Sequence, residues 1–262
     1  MLKPRASFFA AASGVRADRR FHGSALYFFS RPASGRPTLP KRYGSSYSRS
    51  MQIHILDHPL VEHKLTVLRD KNTPSNIFRE LVSELVTLEA YEATRNLDVV
   101  DKQIETPIAT MTGKHIASPR PMVVPILRAG LGMLDGMTKL LPTAEVGFLG
   151  MKRDEKTLDI ITYANRLPED LTGRQVFLLD PMLATGGTTV AATHYLAERG
   201  AKDITSINIL AAPEGLKRVE ETLDPSIDFK VVVCAVDDHL DEHGYIVPGL
   251  GDAGDRLYGL ID

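Results

Sequence analysis

The chain has 262 residues, 43% hydrophobic and 24% charged, an ordinary globular composition with enough material for one sizeable core. No run reaches the roughly 18 uninterrupted apolar residues of a membrane helix, and a single cysteine, Cys234, excludes an intrachain disulfide. Ten of the 31 Lys and Arg residues but only one acid, Asp18, lie in residues 1–50, so residues 51–262 carry 21 basic against 32 acidic residues, a net of −11. An acidic body argues against a broad nucleic-acid face, and any anionic ligand must be held locally.

Residues 1–50 lack sustained periodicity and are rich in Arg, Ser, Gly and Pro. They read as a disordered basic leader, either an organellar transit peptide or an over-extended start ahead of Met51. The body 51–262 reads as one domain. Residues 74–97 predict a long helix opening at Pro74 and Ser75. Strands follow at 121–127 ("PMVVPIL"), 145–150 ("EVGFLG"), 175–180 ("QVFLLD"), 206–212 ("SINILAA") and 230–236 ("KVVVCAV"), each apolar throughout, as strands covered on both faces are. Between them, 130–141, 189–200 and 213–223 repeat apolar residues at helical spacing, with Gly200 a C-terminal stop. Cys234, inside the last strand, reads as a small buried hydrophobe. The alternation predicts an α/β fold with a doubly wound, mainly parallel sheet flanked by helices. Residues 152–171 carry mixed charge and short β-like runs, an arm or flap over the site or a dimer contact.

The segment "VFLLDPMLATGGTTVAATHYLAERG" (176–200) runs from a strand through a Thr/Gly bend into a helix. Ligands of parallel sheets sit at the carboxyl strand ends, where helices point their amino ends. Glycines let the backbone approach closely, and free N–H groups with the helix dipole attract an anion. Asp180 repels phosphate and would serve ribose hydroxyls instead, so the pair suggests a sugar phosphate. A plain βα turn capped by threonine is the other reading. The bend has neither the Gly-Lys-Ser/Thr of a Walker loop nor GxGxxG.

"LLDPMLATGGTT" resembles the phosphoribosyl-diphosphate (PRPP) loop of type I phosphoribosyltransferases. Pro181, standing where most of that superfamily has a second acid, resembles the uracil phosphoribosyltransferase branch. So do "VVPILRAGLGMLDG" (123–136), "EHGYIVPGLGDAGDRLYG" (242–259), "DHPLVEHKLTVLRD" (57–70), "YEATR" (91–95) and "AAPEG" (211–215). The resemblance spans about 51–262 and implies pyrimidine salvage: PRPP and uracil give UMP and diphosphate. It implies PRPP contacts at Arg128, Arg153, Asp180, Pro181, Met182, Leu183, Ala184, Thr185, Gly186, Gly187, Thr188 and Asp252. Uracil contacts are implied at Ile246, Gly251, Asp252 and Ala253 in a C-terminal base-binding loop region. Arg128 and Asp252 are the candidate catalytic residues.

Guanidinium forks suit diphosphate oxygens, although "KRDEK" around Arg153 also reads as a solvated charge cluster. The tail 245–259 holds too many Gly and Pro for a regular element, and a loop of that kind can read a flat imide edge. Mg²⁺ is expected to ride on the diphosphate without a dedicated protein cage. His239 and His243 have helical zinc spacing but read as a solvated turn, and Pro59 argues against a helix joining His54 and His58. The family implies a homo-oligomer, in some members stimulated by GTP; hydropathy and the acidic body give no membrane or nucleic-acid partner, and the expected setting is cytoplasmic, or organellar if residues 1–50 are a transit peptide. One other reading stays open, a PRPP- or UMP-sensing regulator that keeps the fold without catalysis; a transferase for another base is opposed by the tail motif.

Overall fold

Strand runs of Val, Ile and Leu need cover on both faces, and here they receive it. The structure, a computed structural model, describes residues 51–153 and 160–259, with the side chains of residues 152, 153 and 160 left out. The reading of residues 1–50 as a leader lies outside the described residues.

In chain order the elements are β1 (Met51–Ile55), α1 (Pro59–Arg69), α2 (Ser75–Ala93), β2 (Val99–Glu105), β3 (Thr110–Ile116) and β4 (Met122–Leu127). A 3₁₀ turn (Ala129–Met133) leads into α3 (Leu134–Leu140), followed by β5 (Glu145–Val146), β6 (Phe148–Arg153), β7 (Ile160–Arg166), β8 (Gln175–Leu179) and β9 (Met182–Leu183). Last come α4 (Gly187–Ala197), β10 (Asp203–Ala211), α5 (Pro213–Thr222), β11 (Asp228–Val236), β12 (His239–Leu240), β13 (Ile246–Val247) and α6 (Ala253–Tyr258). The main sheet runs β1-β11-β10-β8-β4-β6-β7, with β5 on β4 and β9 on β10. All its pairs are parallel except β6–β7.

One core, with Phe78, Leu85, Met133, Met137 and Leu257, lies between the sheet and the layer of α1, α2, α3 and α6. A second, with Val124, Leu178, Leu196, Ile204 and Val219, lies under α4 and α5. All but the first residue of β8 and of β10 are buried, the pattern of a sheet covered on both sides. The expected doubly wound architecture is present. Gly200 does stop α4: at φ +90° it donates to the Ala197 carbonyl while Ala201 N–H reaches Leu196, a Schellman ending.

Several expectations are corrected. Residues 145–150 are not one strand. The chain breaks at Gly147, whose N–H bonds Val123 O at 2.9 Å. A Cβ there would lie 2.4 Å from Leu167 Cδ2 and 3.1 Å from Arg166 O, so the end of β7 packs closely over this glycine. The helix expected over 130–141 starts as a 3₁₀ turn. Within 152–171, residues 160–166 form β7 and extend the main sheet; 154–159 lie outside the described residues. The tail also holds regular structure, the β12–β13 ladder and α6, whose N-cap Asp252 accepts Asp255 N–H at 2.9 Å. Pro248, Gly249 and Gly251 lie between β13 and α6, whereas Gly254 is inside α6 and Gly259 caps its end. β1, α1 and the β2–β3 hairpin fall where no element is expected. That hairpin exposes all of β2 to solvent, Val99, Val100 and Ile104 included.

Candidate active site

β8 ends at Leu179, and in register it meets Pro125 of β4 and Ile207 of β10. This brings the carboxyl ends of these three strands to one edge. Asp180 follows, half-buried. Its carbonyl accepts Asn208 Nδ2 at 2.7 Å, and Asn208 Oδ1 accepts Ser206 Oγ at 2.8 Å, a polar chain inside the sheet. Burial pushes the Asp180 carboxyl up to about 6, against the opposing pull of the Met182 N–H that it accepts.

The loop beyond Asp180 is more ordered than a turn. Met182 and Leu183 form β9 beside Leu210 and Ala211, and Pro181 O accepts Ile209 N–H and Leu210 N–H. Gly186 then takes φ +74° as N-cap of α4 and has no side chain of its own to cap that end. The first-turn amides of α4 therefore keep their capacity for an anion. "AAPEG" also gains a physical reason. A Cβ on Gly215 would lie 2.1 Å from Ala184 O, and one on Gly186 would lie 2.6 Å from Gly215 O. The start of α5 and the bend interlock through two glycines.

Arg128 follows the last residue of β4 at the same edge, with its side chain exposed. Its carbonyl accepts the Tyr258 hydroxyl at 2.9 Å, which joins this corner to the end of α6. Arg153 is the last residue of β6, which lies beside β4; its side chain is outside the described residues. The tail closes on the Arg128 corner and on the Thr-Gly-Gly bend. A Cβ on Gly254 would lie 3.9 Å from Ala129 Cβ, and one on Gly244 would lie 3.6 Å from Thr185 Cγ2. Ile246 and Ala253 are each 5% exposed, Gly251 sits at φ +81°, and Asp252 is open to solvent.

Three residues outside the expected set hold the tail in place. Arg69, at the end of α1, donates to Asp237 Oδ2 at 2.7 Å, Asp237 Oδ1 at 2.6 Å and Gly249 O at 2.8 Å. Asp237 also accepts Gly249 N–H at 2.9 Å. Arg256 of α6 reaches back to the carbonyls of Leu68, Asp70 and Leu250, with its guanidinium 4.5 Å from the Phe78 ring centre. Nothing local in the sequence marks them, because the Arg69–Asp237 pair spans 168 residues and the Arg256–Leu68 contact 188.

The described residues hold no group of three or more His, Cys, Asp or Glu placed to bind a metal ion. His239 and His243 are exposed, with His239 in β12 and His243 in the turn after it. Cys234 is buried, and burial pushes its thiol up. Beside it Glu89 is fully buried, and burial holds its pKa well above the usual carboxylate range against the opposing pull of hydrogen bonding from Cys234. No described helix is long and apolar enough to cross a membrane.

A mainly parallel sheet whose carboxyl edge carries an acid, a Thr-Gly-Gly bend and a helix start defines a type I phosphoribosyltransferase fold. The family model "Uracil phosphoribosyltransferase" matches residues 55–260. The chain belongs to the uracil phosphoribosyltransferase family. It is 79% identical over 213 residues to the uracil phosphoribosyltransferase of Bifidobacterium longum, covering 81% of this chain and 100% of that one. With that of Beutenbergia cavernae it shares 66% over 211 residues, again the relative's full length. The solved AQ2163 protein of Aquifex aeolicus superposes with a TM-score of 0.75 at 42% identity, over 80% of this chain and 99% of that one.

Proposed function

We propose the following division of labour for the family's reaction, transfer of the phosphoribosyl group of PRPP to uracil to give UMP and diphosphate in pyrimidine salvage. The bond from the anomeric carbon to diphosphate breaks, a bond to N1 of uracil forms, and N1 loses its proton. The protein aligns two ligands and manages charge on the leaving group. Residues 184–188 and the first amides of α4 take the 5′-phosphate. Asp180, ionised, accepts from the ribose hydroxyls. Pro181, Met182 and Leu183 hold the loop against β10. Arg128 and Arg153 meet the diphosphate. Ile246, Gly251 and Ala253 frame the pyrimidine, where the imide order of O2, N3–H and O4 separates uracil from cytosine. Asp252 lies between the two ligands and orients ribose or a metal-bound water.

The observation that carries this reading is the meeting of the bend, the Arg128 corner and the tail at one sheet edge. Mg²⁺ fits the exposed carboxylate of Asp252 and would arrive on PRPP, neutralising diphosphate charge. A homo-oligomer is supported by the exposed apolar side chains of the β2–β3 arm, with Ile108 at its tip 93% exposed. Stimulation by GTP rests on the family resemblance alone, and a cytoplasmic setting on the bacterial relatives. Those relatives are named as enzymes, and nothing supports the regulator reading. Incubating the chain with PRPP, Mg²⁺ and each free base tests the assignment. Diphosphate release with uracil alone is expected; release with another base, or with none, would overturn it.

A further inference from the structure

The base-framing tail is short of regular backbone bonds, yet selecting a base by hydrogen-bond pattern demands fixed donors and acceptors. Between β13 and α6 the chain runs through Pro248, Gly249, Leu250 and Gly251, with both glycines at positive φ. A segment like this adopts many conformations unless side chains hold it. Asp237, 8% exposed, does so by accepting the Gly249 N–H at 2.9 Å while its two oxygens take the Arg69 fork at 2.6 and 2.7 Å. Arg69 at the same time donates to the Gly249 carbonyl at 2.8 Å. Both backbone groups of one glycine are thus saturated by one ion pair. The next carbonyl, Leu250 O, is taken by Arg256 at 3.0 Å. An apolar pair of equal volume would serve stability as well as this one. What it would not do is fix the N–H and the C=O of Gly249 together.

We propose that Asp237, oriented by Arg69, is a positioning residue for base selection: it locks Gly249, and so sets how residues 250–253 meet the pyrimidine. Neither side chain has a role in PRPP capture. The inference rests on the assignment of the tail to uracil given above.

In Asp237→Asn the acceptor for Gly249 N–H survives, but the pair loses its charge and one arm of the fork. With the full chain, the KM for uracil should rise by about 10- to 100-fold, the range expected for a misplacement near 1 Å. The KM for PRPP should stay within about two-fold, and the preference for uracil over cytosine should narrow as the unpaired-group penalty relaxes. Arg69→Lys, which keeps charge and loses the fork, should move the same quantities less far. Thermal melting and calorimetric PRPP binding identify folded variants. If folded Asp237→Asn or Arg69→Lys keeps the uracil KM and the selectivity, the inference fails. Equal losses for uracil and PRPP would also defeat it, since that is what general loosening gives. Ala253→Val separates the two levels. Should it leave uracil use intact, the tail assignment itself falls; should it abolish uracil use while the Asp237 and Arg69 variants stay normal, only the present inference falls.

Discussion

Asp180→Asn should make the free protein more stable and nearly inactive. Burial lifts the carboxyl from 3.8 in a model peptide to about 6 in the fold, so ionising it inside the protein costs about 3 kcal/mol at pH 8. An asparagine of the same shape still accepts Met182 N–H and avoids that cost, so the variant should gain up to about 3 kcal/mol. The sign follows from linkage. An acid whose pKa is raised by folding destabilises the fold increasingly as pH rises from about 4 to about 6, and by a constant amount above. The gap between wild type and variant should therefore be full at pH 8 and close as pH falls toward 4. The chain has no tryptophan, so urea unfolding is best followed by far-UV circular dichroism. Loss of the ionised acceptor should lower kcat/KM for PRPP by about 100-fold or more, the scale for a missing charged partner in the transition state. A variant no more stable than wild type at pH 8, or a gap that does not close in acid, would refute the desolvated carboxyl. Normal PRPP kinetics would refute its role at the ribose.

Glu89→Leu removes a fully buried acid and should stabilise by about 1–3 kcal/mol, with the gain growing as pH rises above 4.5 because the raised pKa disfavours the ionised fold; the same unfolding assay reads it. Gly215→Ala places a methyl 2.1 Å from Ala184 O, so melting should report a loss of about 1–3 kcal/mol and kinetics a raised PRPP KM with the uracil KM unchanged. Arg128→Ala should lower kcat/KM for PRPP by about 100-fold and leave uracil binding nearly intact, measured by calorimetry. EDTA should abolish turnover without moving the melting temperature, and added Mg²⁺ should restore it, because no cluster of three metal-ligating side chains exists among the described residues.

The parts legible in the sequence are those whose signal is local. The buried strands announce themselves by unbroken Val, Ile and Leu, and the bend by Thr-Gly-Gly between an apolar run and an amphipathic one. Residues 253–258 were hidden because one turn and a half of helix, flanked by Gly251 and Gly259, carries too little periodicity to stand out from loop. Gly147 splits a strand where Leu167, twenty residues away, packs against it, a contact that no local pattern encodes. β1 owes its place to pairing with β11 at the far end of the chain, and "MQIHI" alone is too short to declare it. The Arg69–Asp237 pair joins residues 168 apart in sequence. Composition makes each look like an ordinary surface charge.

The back-to-back glycines at 186 and 215 have a thermodynamic consequence. Since Ala184 O and Gly215 O each fill the space of an absent side chain, the bend proposed to cradle the phosphate is shaped by another helix before any ligand arrives. Its ordering entropy is settled during folding, so capture of the pentose should show little of the heat-capacity change that marks coupled folding. Breathing of the cradle is tied instead to α5 lifting from the sheet, so amide exchange across 184–188 should rise and fall with that helix.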